Sequence, residues 1–158
     1  MVDEMNYWLF KSEPDVYGID HLAAEPRQQC RWDGIRNFQA RNLLRDRVQV
    51  GDQVLFYHSG CPRPGIAGLM EIVKAGYADP AQFDSASSHY DPKATQENPR
   101  WYAVDVKLRK KFAQPVPLTA LKANPDLKDM ILFQQGRLSV VPVTTAEWQT
   151  IESMIKAG

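Results

Sequence analysis

Apolar positions along this chain fall into short, separated bursts whose period changes. Tyr7-Trp8-Leu9-Phe10 is continuously apolar, as in a buried strand. Gly18 to Leu22 predicts a short helix closed before Pro26. Asp33-Gly34 predicts a turn, and Asn37 a helix cap. Beyond that cap Ala40, Leu43, Leu44 and Val48 form an apolar stripe, while Asn37, Arg41 and Arg45 share another face. Val50-Gly51-Asp52 turns the chain into a strand over 53–58. A Gly- and Pro-rich loop, 59–65, leads to another strand over 66–73. From Trp101 to Arg109 the period is two, with Tyr102, Val104, Val106 and Leu108 opposite Asp105, Lys107 and Arg109. Residues 127–133 predict a helix stopped by Gly136, and 137–141 a last strand ended by Pro142. Thr144 to Glu147 is a capping box opening a helix with Trp148, Ile151, Met154 and Ile155 inward.

Short strands separated by helices too brief for β-α-β crossovers predict an α+β domain around a small, mainly antiparallel, curled sheet or barrel. Its 158 residues suffice for one domain, 1–158, with a real core. The polar stretch between Ala78 and Pro99 is a long loop, of a kind that is usually functional or mobile.

Charge then narrows the partners. Lys+Arg and Asp+Glu are 19 each, so no global field draws the protein to nucleic acid or membrane. Any anion site must be local. Between Arg31 and Arg47 stand Arg31, Arg36, Arg41, Arg45 and Arg47 against Asp33 and Asp46, with no lysine. Arginine brings a planar fork that also stacks on π faces. Lys107, Arg109, Lys110 and Lys111 form a second basic run, read either as a phosphate contact or as an edge strand protected from aggregation. Cys30 and Cys61 show neither zinc nor disulfide spacing. The first residues carry acids where a signal peptide carries bases, and no apolar run approaches a membrane span. A soluble, intracellular, reducing location is expected: cytoplasmic, or nuclear in a eukaryote.

No signature of a nucleotide-binding loop, a serine hydrolase elbow or a zinc protease occurs. His21, His58 and His89 are scattered. His58 and Cys61 could form a thiol–imidazole pair, against the simpler reading of a loop cysteine beside a proline. Glu13 and Asp15 read as turn and cap residues. No nucleophile, metal site or cofactor is nominated.

Four stretches carry a resemblance. WLFKSEPDVYGIDHL (8–22), RWDGIRNFQARNLLRD (31–46), VGDQVLFYHSG (50–60) and GRLSVVPVT (136–144) resemble, in order, the signatures of the EVE-domain family. The resemblance implies a PUA-like pseudo-barrel of short, mainly antiparallel strands with flanking helices, related to the YTH domain that reads methylated adenine in RNA. It implies a non-catalytic module that binds modified bases in nucleic acid, notably modified cytosines in DNA; a monomer without cofactor is expected. A PUA-type RNA-binding module is the alternative, and a small-molecule enzyme using His58 and Cys61 a more distant one.

By the same resemblance Lys11, Ser12, Glu13, Trp32, Asn37, Arg41, Tyr57, His58, Ser59, Arg137, Leu138 and Ser139 belong to the pocket. An indole for stacking, amides and hydroxyls for base edges, and guanidinium groups for phosphate suit such a ligand. Trp32, Asn37, Tyr57 and Ser139 are expected to converge on one concavity. Trp32 lies off the helical stripe, where it reads as a stacking surface, with core packing as the alternative; Tyr57 divides evenly between the two. Phe38 and Val141 depart from the family pattern, where tyrosine and glutamine are expected, so either change could alter specificity.

Overall fold

A computed structural model describes residues 6–157. The acidic first residues lie outside that range. Six strands form one mixed sheet: β1 (Tyr7–Ser12), β2 (Gln29–Trp32), β3 (Gln53–His58), β4 (Gly65–Ala78), β5 (Tyr102–Pro117) and β6 (Val140–Val143), in the order β2-β5-β4-β3-β1-β6. Helices α1 (Pro14–Tyr17), α2 (Ile19–Ala24), α3 (Phe38–Asp46), α4 (Leu118–Ala123), α5 (Ile131–Gln134) and α6 (Thr145–Ala157) flank it. All neighbouring strands are antiparallel except β1 and β3, which run parallel from Tyr7 opposite Gln53 to Ser12 opposite His58. A parallel pair needs a long crossover. The chain between them supplies one, and it contains α1, α2, β2 and α3, so the sequence-based exclusion of such crossovers does not hold.

The sheet curls on itself. In a flat sheet, strands spaced about 4.8 Å apart would put β2 roughly 19 Å from β1. Yet the Trp32 ring on β2 lies 5.5 Å from Phe10 on β1 and 5.3 Å from Phe56 on β3, centroid to centroid. The sheet therefore closes towards a pseudo-barrel around a continuous apolar core that includes Leu9, Val54, Met70, Val106 and Val140.

Local predictions mostly hold, and the exceptions have physical reasons. Asn37 caps α3 by accepting from the Ala40 amide at 2.9 Å, and Thr144 and Glu147 exchange bonds at 3.0 and 3.1 Å at the start of α6. β6 does not end at Pro142, which pairs with Trp8; β6 is an edge strand, where a residue without an N–H costs nothing on the outer side. The helix predicted over 127–133 is broken: a 3-10 turn capped by Asn124 covers Pro125–Leu127, and α5 begins at Ile131. β5 extends far beyond Arg109, and Lys107 is an interior position between Gln29 of β2 and Glu71 of β4. The stretch before Trp32, unassigned from sequence, is strand β2.

The long polar loop is pinned. Buried Gln82 bonds the backbone of Arg100, Trp101 and Asp79, and Asp91 accepts from the Trp101 indole at 2.7 Å.

Candidate nucleic-acid interface

The parallel pair and the chain before β6 deliver several predicted site residues to one end of the sheet. Lys11 and Ser12 end β1, Tyr57 and His58 end β3, and Ser139 accepts the Lys11 amide at 2.9 Å. They do not form one pocket. Two clefts lie here with Lys11 on the wall of both.

The first, about 480 Å³, is lined by Lys11, Ser12, Val16, Tyr17, Trp32, Asp33 and His89, among others. That volume suits a nucleobase with part of its backbone. Trp32 is only 6 % exposed, packed against Phe10 and edge-on to Tyr17 and Phe56. The reading of Trp32 as misplaced for a core tryptophan is therefore corrected. Ending β2 turns the indole inward, where it belongs to the core while bordering the cleft. Ser12 donates its hydroxyl to the Tyr17 carbonyl at 2.7 Å and so braces α1.

Asp33, which sequence reasoning passed over, is the distinctive polar group. Its side chain is 39% exposed, Arg31 reaches it only at 4.0 Å, and among the described residues no neighbouring residue donates it a hydrogen bond. Burial, and then the charge of Asp79, raise its pKa above the ordinary aspartate value. The turn carrying it is fixed by Gly34, at φ +74°, where an added Cβ would sit 2.9 Å from the His89 ring. Beneath it Asp79, fully buried, accepts from the amides of Gly34 and Ala81 and from the Arg36 guanidinium. The WDG run was the available signal for Asp33; nothing in sequence pointed to His89, 56 positions beyond it.

The second cleft, about 310 Å³, contains Lys11, Tyr57, Ser59, Lys122 and Phe133. Lys11 Nζ donates to the Gly136 carbonyl at 2.8 Å, and burial lowers its pKa.

The remaining predicted residues stand apart. Asn37 spends its side-chain oxygen on the α3 cap. Arg41 bonds the Arg100 carbonyl and covers Phe38, which stacks on Trp101 at 4.8 Å. His58 accepts the Ile19 amide at Nε2, and burial lowers its pKa. With that lone pair engaged, this nitrogen is not free to take a proton from Cys61. Glu13 begins α1 and lies against Gly60, Arg137 is exposed, and Leu138 is core. The four-residue convergence on one concavity is thus corrected: Trp32 and Tyr57 face different clefts, and Asn37 and Ser139 line neither.

The family model of the EVE domain matches residues 6–154. The chain belongs to the EVE-domain family. This EVE domain is 44% identical to thymocyte nuclear protein 1 of Danio rerio, over 93% of this chain and 71% of that protein. Among solved structures it superposes on the human THYN1 protein in complex with 5-methylcytosine-containing DNA, with TM-score 0.90, 41% identity, and 96% and 98% of the two chains covered. A protein from Leishmania major gives TM-score 0.92 at 44% identity, covering 98% and 96%. The YTH domain of a Zygosaccharomyces rouxii protein, solved with N6-methyladenosine RNA, shares the fold at TM-score 0.53 and 15% identity, over 98% and 88%. No helix among the described residues is long and apolar enough to cross a membrane.

Proposed function

We propose that this EVE domain is a non-catalytic, monomeric DNA-binding module that captures one extruded modified cytosine in the cleft beside Trp32. The observation carrying the reading is the pairing of a flat indole with an under-neutralised carboxyl, Asp33, in one cleft. The likeness to a human protein solved with 5-methylcytosine DNA supports it. Extrusion costs a few kcal/mol and stacking returns roughly 1–3 kcal/mol, so aromatic contact permits capture without selecting the base. A methyl group adds about 0.8 kcal/mol on burial, roughly a fourfold preference. Base identity must come from polar contacts.

Asp33 suits cytosine. A carboxylate accepts from the N4 amino group, and a carboxyl that keeps its proton donates to N3. Thymine presents the reverse order, a carbonyl at position 4 and a donor at N3; its O4 repels the ionised carboxylate and, unlike cytosine N3, does not take up a proton to relieve that repulsion. Asp33 takes over the edge-reading role expected of Ser12, Asn37 and Ser139, because the Ser12 hydroxyl proton is given to the Tyr17 carbonyl and neither Asn37 nor Ser139 lines the cleft. Relatives named as nuclear proteins favour the nucleus over the cytoplasm as the working place of a eukaryotic chain.

The test is a binding panel at fixed salt: DNA and RNA oligonucleotides with 5-methylcytosine, cytosine or thymine at one position. Tightest binding to the modified-cytosine DNA is expected. Equal binding across the three bases overturns the reading, and tighter binding to RNA transfers it to the PUA-type alternative.

A further inference from the structure

The second cleft has features that base capture beside Trp32 does not use. Tyr57 is 97% buried by its 3% exposure, yet among the described residues its hydroxyl has no hydrogen-bond partner. No fully enclosed side-chain polar atom lacks a partner among the described residues, so this hydroxyl opens onto the cleft it lines. A hydroxyl that meets the cleft without a protein partner is free to bond a ligand there. The same cleft is lined by Lys11, Lys122, Ser59 and Phe133. Glu13 lies against Gly60, a lining residue, so Lys11 and Lys122 are the two cations of the lining and Glu13 is the nearby carboxylate.

The ligand chemistry follows from this set. Two ammoniums and a phenol suit a phosphate, and a partly buried aromatic ring beside them suits a sugar or base. Lys11 borders both clefts, and its bond to Gly136 holds the ammonium in place with donors to spare. We propose that the second cleft binds the nucleotide adjacent to the captured base in the same DNA strand, its phosphate held by Lys11, Lys122 and the Tyr57 hydroxyl. This rests on the base-capture reading, because Lys11 links the two clefts. It gives Tyr57 and Ser59 a ligand contact one nucleotide away from Trp32.

The experiment is a length series at fixed salt. The ligands are 5-methyl-2′-deoxycytidine, the two dinucleotides that extend it on either side, and a longer oligonucleotide carrying it. The wild type is compared with Tyr57→Phe and Lys122→Gln. In the wild type one dinucleotide binds about tenfold tighter than the nucleoside, as a charge-assisted contact implies. Tyr57→Phe loses most of that gain while its melting temperature stays unchanged, since no protein bond is removed. Lys122→Gln leaves nucleoside binding unaltered, loses part of the gain, and lowers the salt slope by about 0.7, the value for one phosphate on a single strand. A full gain in both variants overturns the proposal, as does a Tyr57→Phe protein that melts markedly lower. Failure of base capture reads differently: the oligonucleotide then binds equally with cytosine and 5-methylcytosine, whatever the two variants do.

Discussion

Gly34 donates its backbone N–H to the Asp79 carboxylate at 3.0 Å, tying together segments 45 residues apart. The same carboxylate holds Arg36 at 3.0 Å and is fully buried. One buried anion thus sets the turn that presents Asp33 and the loop that presents His89.

Asp79→Asn is expected to destabilise the protein by about 3 kcal/mol, because it leaves Arg36 without its counter-charge. Burial pushes the Asp79 pKa up, but the Gly34 and Ala81 amides and the Arg36 guanidinium outweigh it and hold the value below that of an ordinary aspartate. Its stabilising contribution is therefore present above the ordinary value and lost as pH falls through the lowered one. Denaturant unfolding across acid pH checks this: the wild type should lose stability over that window, and Asp79→Asn should lose less.

Trp32 serves core and cleft together, so its substitutions must be read in two measurements. Trp32→Ala empties a site surrounded by Phe10, Tyr17 and Phe56 and is expected to cost about 3–5 kcal/mol. Loss of binding in that variant would not separate folding from recognition. Trp32→Phe keeps an aromatic ring in the core, melts only modestly lower, and weakens modified and plain cytosine alike. A changed ratio between the two ligands would assign selectivity to the indole itself.

How far the sequence reached depends on the range of the interaction. Asn37, Thr144 and Glu147 announce caps because their bonds close within three residues. The position of Trp32 was not legible, because its burial depends on β2 pairing with β5 more than seventy positions later. Pro142 misled because its tolerance depends on β6 lying at an edge, a property of strand order. The site residues were named as one pocket, since motif order says nothing about which side of Lys11 each side chain falls on.

Phe38 tests whether a departure from the family pattern matters. It is 48 % exposed, stacks on Trp101, and lines neither cleft. Val141, the other departure, is fully buried opposite Leu9. Phe38→Tyr is expected to shift stability by less than about 0.5 kcal/mol and to leave the modified-to-plain binding ratio unchanged. A thermal melt and a two-ligand titration check both, and an altered ratio would bring this face of α3 into the recognition surface.

The pH dependence of binding separates Asp33 from every other contact. Its pKa is raised by burial and then by Asp79, against the pull of Arg31. In the free protein its ionisation therefore works against the fold: that penalty is absent at low pH and grows as pH rises through the raised value. Asp33→Asn removes it and should be slightly more stable above that pH. Binding a cytosine edge needs one proton between the carboxyl and N3, so above the raised pKa the complex takes up a proton. Affinity should then fall by up to tenfold per pH unit. An amide accepts from N4 and donates to N3 with no proton uptake, so Asp33→Asn should bind cytosine with a flat profile. An amide can also turn over and serve thymine, so the same variant should lose discrimination between the two bases. Lys11, Glu25, Arg31 and His89 share the cleft, and His89→Gln controls for the nearby imidazole. Parallel slopes in the wild type and Asp33→Asn, with cytosine still preferred over thymine in both, would show that Asp33 does not read the base.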